Sequence, residues 1–332
     1  MPRETRLYLL MVLAMFTWGG SWVSAKVLVS VLGAPPMTIG FFRFLVATVL
    51  FAGLLLYRRT DFHVMFSRSN LLLLLGVGLT GVFGYGVFFL TGMRYTTAAQ
   101  GSIIAGINPA TVSLFARLVH KERLPRRWQY GGFVVSFVGV AFVIGITALV
   151  EYNPEYLLGN IIIVLAMIIW GVYSSIGKAA MKRLSPAETN MGGILIGTLL
   201  FGIAAVPEQP WSLPVLADVA FWFHIMFLGV ATTFVGFLLY FEAIKGLGIT
   251  RSGVFINMVP VFGTLLSVIF LAEVLYWTFV VGLLLIIVGI LAINWRPSTQ
   301  TGTLGPRLPT QGPALPASHR RASPRITEAT AL

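Results

Sequence analysis

The residues able to do chemistry in this chain are Trp18, Trp22, Arg43, Tyr85, Gln100, Asn108, Trp170, Tyr173 and Asn257, and all of them stand in apolar runs. Aromatic faces offer stacking surface, a guanidinium offers a fork that matches a carboxylate, and amides offer donors and acceptors. Such a set holds a small molecule; nothing in it transforms one. The sequence has no HExxH, no GxSxG and no Walker loop, and its one dense polar loop, His120 to Arg127, reads as a topology anchor. The run Gly76 to Gly81 satisfies GxGxxG but follows no strand and lies in an apolar stretch, which fits helix packing and not a dinucleotide site. With 0 cysteines there are no disulfides or thiolate metal sites. We therefore expect no enzyme, no cofactor and no metal.

Each candidate carries two readings. Trp18 and Trp170 fall mid-run, away from the interfacial belt that suits Trp128, Trp211, Trp222, Trp277 and Trp295. Either they line a cavity with Trp22 and Tyr173, or Trp-Gly is a knob beside a hole. Pro109 and Pro260 break the helix ladder and free the carbonyls of Ala105 and Ile256. Asn108 and Asn257 beside them either bind substrate or heal the kink, and Gln100 shares a face with Asn108. Arg43 either attracts a substrate carboxylate or locks helices through carbonyls. Lys26 and Lys178 read as snorkelling cations, and His224 as an interfacial histidine. Of 11 acidic residues only Glu242 can enter a span, near its end, so no carboxylate is expected at the midplane.

The elements that position these residues follow from composition. The chain has 57% hydrophobic and 10% charged residues with a mean hydropathy of +0.88, which belongs in a bilayer. Ten apolar runs have spanning length: 7–31, 37–57, 70–92, 96–117, 127–149, 158–181, 189–207, 220–242, 249–271 and 275–295. The formal charge of +12 sits in short loops and the tail, which argues against a nucleic-acid partner. With a cytoplasmic N-terminus, all of the 23 basic residues except Lys26, Arg43 and Arg94 fall inside, while Glu151, Glu155, Glu208, Asp218 and Glu273 fall outside. Both termini are then cytoplasmic.

Ala14 to Lys26 (AMFTWGGSWVSAK) returns as Ala166 to Lys178 (AMIIWGVYSSIGK), and Gly84, Phe89, Pro109 and Glu122 return as Gly236, Phe241, Pro260 and Glu273. Five spans per copy is odd, so the second copy must run through the membrane upside down. The expected architecture is an all-α integral membrane protein of ten transmembrane helices in two inverted five-helix repeats. Residues 1–149 form the first repeat and 150–296 the second. A disordered cytoplasmic tail, 297–332, follows, whose arginines set topology or touch anionic lipid.

The ordered spans, Trp18-Gly19, Arg43-Phe44, and Pro260 followed by an apolar run to Glu273 resemble the EamA type of the drug/metabolite transporter superfamily over residues 7–295. The resemblance implies a pseudo-twofold bundle, a central cavity, and export or exchange of small metabolites, often amino acids; one branch exports aromatic amino acids. The related small multidrug pumps use a first-span glutamate, which has no counterpart here. The expected function is secondary transport of an amino acid or related zwitterion or anion across the bacterial plasma membrane. The alternatives are an exporter of organic cations, a scaffold or a channel. The partners are the substrate and the lipid bilayer; the oligomeric state stays open, and a monomer is compatible.

Overall fold

The computed structural model describes residues 3–121, 131–132, 134–139, 142, 154–247, 252, 255–256 and 258–294. Asn257, Glu122, most of the expected span 127–149 and the tail 297–332 lie outside the described residues. Among those described, all regular structure is helical. Helices α1 (Thr5–Val31), α2 (Pro36–Tyr57), α3 (Arg68–Tyr95), α4 (Ala98–His120), α5 (Pro154–Ala180), α6 (Pro186–Glu208) and α7 (Val219–Leu247) are each long and apolar enough to cross a bilayer. They match the expected runs in order. Two shorter apolar helices follow, α8 (Met258–Leu271) and α9 (Trp277–Asn294).

Local chemistry sets the ends. Gly33 takes a positive φ of 63° and Pro36 opens α2 at its first turn, so α1 stops and the chain reverses. Ser185 and Glu188 form a reciprocal capping box at the start of α6. Three acids expected in loops are spent on helix starts. Asp218 accepts from the Ala220 N–H at 2.8 Å on α7. Glu208 accepts from Met37 N at 3.2 Å and Thr38 N at 2.7 Å on α2. Glu273 takes the N–H groups of Ala98 and Ala99, at 2.8 and 2.7 Å, on α4. Each anion meets the positive end of a helix and satisfies otherwise orphaned donors.

In lipid, helices associate through close packing and not through water exclusion, and small residues permit the approach. The two Trp-Gly pairs work in this way. A Cβ on Gly19 would meet Phe262 Cβ at 2.6 Å and Gly263 N at 2.8 Å, so α1 lies directly on α8. A Cβ on Gly171 would meet Thr111 C and O at 2.9 Å, so α5 lies directly on α4. The glycines of the 76–81 run serve the same purpose, with Gly78 against Ile196 and Gly81 flat under the Tyr173 ring. Apolar side chains such as Leu199, Ile203, Val219 and Phe270 are left exposed on the outside of the bundle, where a bilayer would cover them.

Three of the long helices have widened backbone among the described residues, one of them α1 at its end, Val27–Val31. Both α3 and α7 widen to i→i+5 turns part-way along, over Gly78–Gly84 and Phe227–Val235. Such segments are rare and concentrate at functional sites. At both prolines the freed carbonyl is taken up one residue early: Asn108 N–H donates to Ala105 O, and Val259 N–H donates to Ile256 O at 3.0 Å. Local tightening therefore satisfies the two carbonyls that the sequence leaves open.

Candidate functional site

Trp18 and Trp170, the two copies of one repeated position, meet at the centre with ring centroids 5.3 Å apart and planes at 86°. Edge-to-face contact suits the ring quadrupoles. While each glycine of the Trp-Gly pair packs on a neighbouring helix, each tryptophan turns inward, so both readings of the motif hold together. Around the pair, Tyr85 contacts Trp170 at 4.9 Å, Phe237 lies 5.9 Å from Trp18 and 5.6 Å from Trp170, and Trp22 packs edge-on to Phe89 at 4.8 Å. Tyr85 is the first residue after the widened segment of α3, and Phe237 the second after that of α7.

These rings enclose a small cavity of about 30 Å³, walled also by Ser21, Arg43, Asn108 and Thr232. One water needs about 10–15 Å³ of such space, so the cavity has room for a water or two. A metabolite enters only if the helices part.

Arg43 is 2% exposed. Its Nε donates to Thr233 Oγ1 at 2.9 Å, and its guanidinium carbon lies 4.9 Å from the centroid of the Phe44 ring. Thr233 in turn donates to Leu228 O at 2.8 Å, inside the widened segment of α7. Among the described residues Arg43 makes no ion pair, and the other guanidinium N–H groups have no acceptor. A buried cation in that position is costly unless something with negative charge joins it. Two further polar atoms are open: Asn108 Oδ1 is buried without a donor, and Trp170 Nε1 is buried without an aligned acceptor. By contrast, Trp18 Nε1 donates to Thr232 O at 3.0 Å, and the Ser21 hydroxyl to Trp18 O at 2.6 Å. Among the described residues no acid lines the cavity.

Six of the expected site residues, Trp18, Trp22, Arg43, Tyr85, Asn108 and Trp170, share this one cavity. Two do not line it. Tyr173 stands behind Trp170 at 4.9 Å, with its hydroxyl directed to Asn190 Oδ1 at 3.5 Å. Gln100 belongs to a separate cluster: its Oε1 accepts from Asn160 Nδ2 at 2.8 Å and from the Thr96 hydroxyl at 3.2 Å. Gln100 shares a helical face with Asn108 but lies two turns nearer the start of α4, beside the first turns of α5, so depth and not face removes it from the site. Asn257 lies outside the described residues. Lys26 does not reach toward a headgroup; it donates to Met93 O at 3.2 Å and Thr96 O at 2.7 Å, at the end of α3. The sequence reading missed Phe237, Thr232 and Thr233. One signal could have found the first: the offset that carries Gly84 to Gly236 carries Tyr85 to Phe237.

The EamA-like transporter family matches this chain twice, over residues 5–145 and 157–295. The chain belongs to that family. EamA proteins are transporters and not enzymes, and this one is a multi-pass membrane protein. Among EamA-like relatives, the transporter YyaM of Bacillus subtilis (strain 168) is 27% identical over 229 residues, covering 68% of this chain and 74% of YyaM. The aromatic amino acid exporter YddG of Ancylobacter novellus is 26% identical over 195 residues, covering 58% of this chain and 65% of YddG. A solved crystal structure shares the fold, with a TM-score of 0.65 at 20% identity, covering 87% of this chain and 97% of its own.

Proposed function

We propose that this EamA protein is a secondary carrier for an amino acid or a related zwitterion or anion, bound at the cavity between Trp18, Trp170 and Arg43. Ten spans in two inverted halves rock about this cavity and expose it to each side in turn, with both termini in the cytoplasm and the plasma membrane as the site of action. Export is the favoured direction. The observation that carries the reading is Arg43: a buried guanidinium with open N–H groups, set in an aromatic wall and without a carboxylate partner among the described residues. A carboxylate completes that site, and the rings take an apolar side chain. The name of the relative YddG, an aromatic amino acid exporter, points the same way. Organic cations fit less well, because a cation carrier commonly needs an intramembrane carboxylate and no acid lines this cavity among the described residues.

Counterflow in proteoliposomes tests the reading. Vesicles loaded with unlabelled phenylalanine and diluted into labelled tracer should accumulate label transiently and saturably. Accumulation driven only by organic cations, or linear and non-saturable flux, would sink it.

A further inference from the structure

Resting on the carrier reading above, we infer that the site recognises aromatic monocarboxylates as a class, with the carboxylate obligatory and the amino group replaceable by a hydroxyl. The cavity treats the two ends of an amino acid unequally. A carboxylate meets the only formal charge on the wall, the Arg43 guanidinium, 2% exposed and with only Nε engaged among the described residues. An ammonium meets no acid among the described lining residues. The acceptors it finds are neutral: Asn108 Oδ1, buried without a donor on a residue 6% exposed, and the hydroxyls of Ser21, Tyr85 and Thr232.

A neutral oxygen can accept from an ammonium or from a hydroxyl, more strongly from the ammonium, whereas a buried guanidinium left alone has no substitute for an anion. Thr233 supports this arrangement as a positioning residue. Its hydroxyl accepts from Arg43 Nε and is itself fixed by donating to Leu228 O, so the remaining N–H groups are aimed and the fork is held still. The Phe44 ring lies against the guanidinium and cannot compete with a carboxylate for its N–H groups.

Competition against phenylalanine counterflow in the wild-type protein tests this with three analogues. Phenyllactate replaces the amino group by a hydroxyl, phenylpropionate removes it, and phenethylamine lacks the carboxylate. We expect phenyllactate to compete within about tenfold of phenylalanine, and phenylpropionate to be weaker than phenyllactate by up to about tenfold, the worth of one neutral hydrogen bond. Phenethylamine should be weaker than phenylalanine by more than about 100-fold, since it leaves a charged group unpaired. Asn108→Leu should abolish the difference between phenyllactate and phenylpropionate and leave the phenethylamine result unchanged. Displacement by phenethylamine, or indifference to phenyllactate while phenylalanine still exchanges, would overturn the inference and leave the carrier reading intact. No phenylalanine counterflow at all would remove both.

Discussion

Two polar regions of this molecule are built on opposite principles. At the start of α4, the Thr96 hydroxyl lies within hydrogen-bond distance of Asn160 Oδ1 (2.5 Å) and Gln100 Oε1 (3.2 Å), Asn160 Nδ2 donates to Gln100, and Lys26 donates to two carbonyls. Glu273 caps the same helix end with two backbone donors. At the centre of the bundle, Arg43, Asn108 and Trp170 keep polar atoms unmatched in a cavity too small for a metabolite. A saturated network ties helices together, while an unsaturated one costs stability until a ligand completes it. Burial alone does not separate the two, since Gln100 is 1% exposed and Arg43 is 2% exposed.

That contrast can be broken by substitution. The largest effect is expected at the centre, where Arg43→Met removes the charge that a carboxylate needs. Counterflow of phenylalanine should fall by at least about 100-fold, while the unfolding midpoint in detergent stays level or rises because a buried unpaired charge is gone. A variant that transports normally would place Arg43 among the structural residues.

The opposite pattern is expected in the saturated cluster. Asn160→Leu strips a donor from Gln100 Oε1 and a partner from Thr96, and should cost about 1–3 kcal/mol of stability. The order of preference among substrates should not change. An altered order would show that this cluster also touches the transported molecule. Smaller still is Glu273→Gln, which keeps hydrogen-bonding capacity but removes the charge from the start of α4. Here the loss should be about 1 kcal/mol, read as a modest drop in thermal midpoint that shrinks at high salt.

Much of this was legible in the residues. Apolar runs of spanning length and their breakers place α1 to α7, because lipid leaves a backbone few options other than the helix. The repeated Trp-Gly pair locates the centre, since a duplicated aromatic mid-run has no interfacial explanation and its glycine needs a facing helix. Arg43 stands out because a cation in an apolar run is expensive. What sequence cannot supply is depth and partnership. Gln100 and Asn108 look alike on a helical face, yet one meets Asn160 and the other lines the cavity with its amide oxygen unpartnered. The carbonyls freed by Pro109 and Pro260 look available until the tightened turns are seen to take them up. Thr233 carries no signal at all: a threonine in an apolar helix becomes informative only when Arg43 is found beside it.

The central claim is that the space between the two repeated tryptophans is where substrate binds. Because the chain has 0 cysteines, a single introduced thiol reports on one place only. Ser21 lines the cavity and bonds only to Trp18 O of its own helix, which makes Ser21→Cys a mild reporter. Ser102→Cys, buried where α4 meets Gly263 of α8 and outside the cavity, serves as the control. Labelling of Ser21→Cys by a small methanethiosulfonate reagent should proceed as the carrier opens and slow several-fold with saturating phenylalanine, with Ser102→Cys unreactive in both conditions. Labelling of Ser21→Cys that is indifferent to a substrate the same preparation exchanges would contradict the account and move the binding site elsewhere.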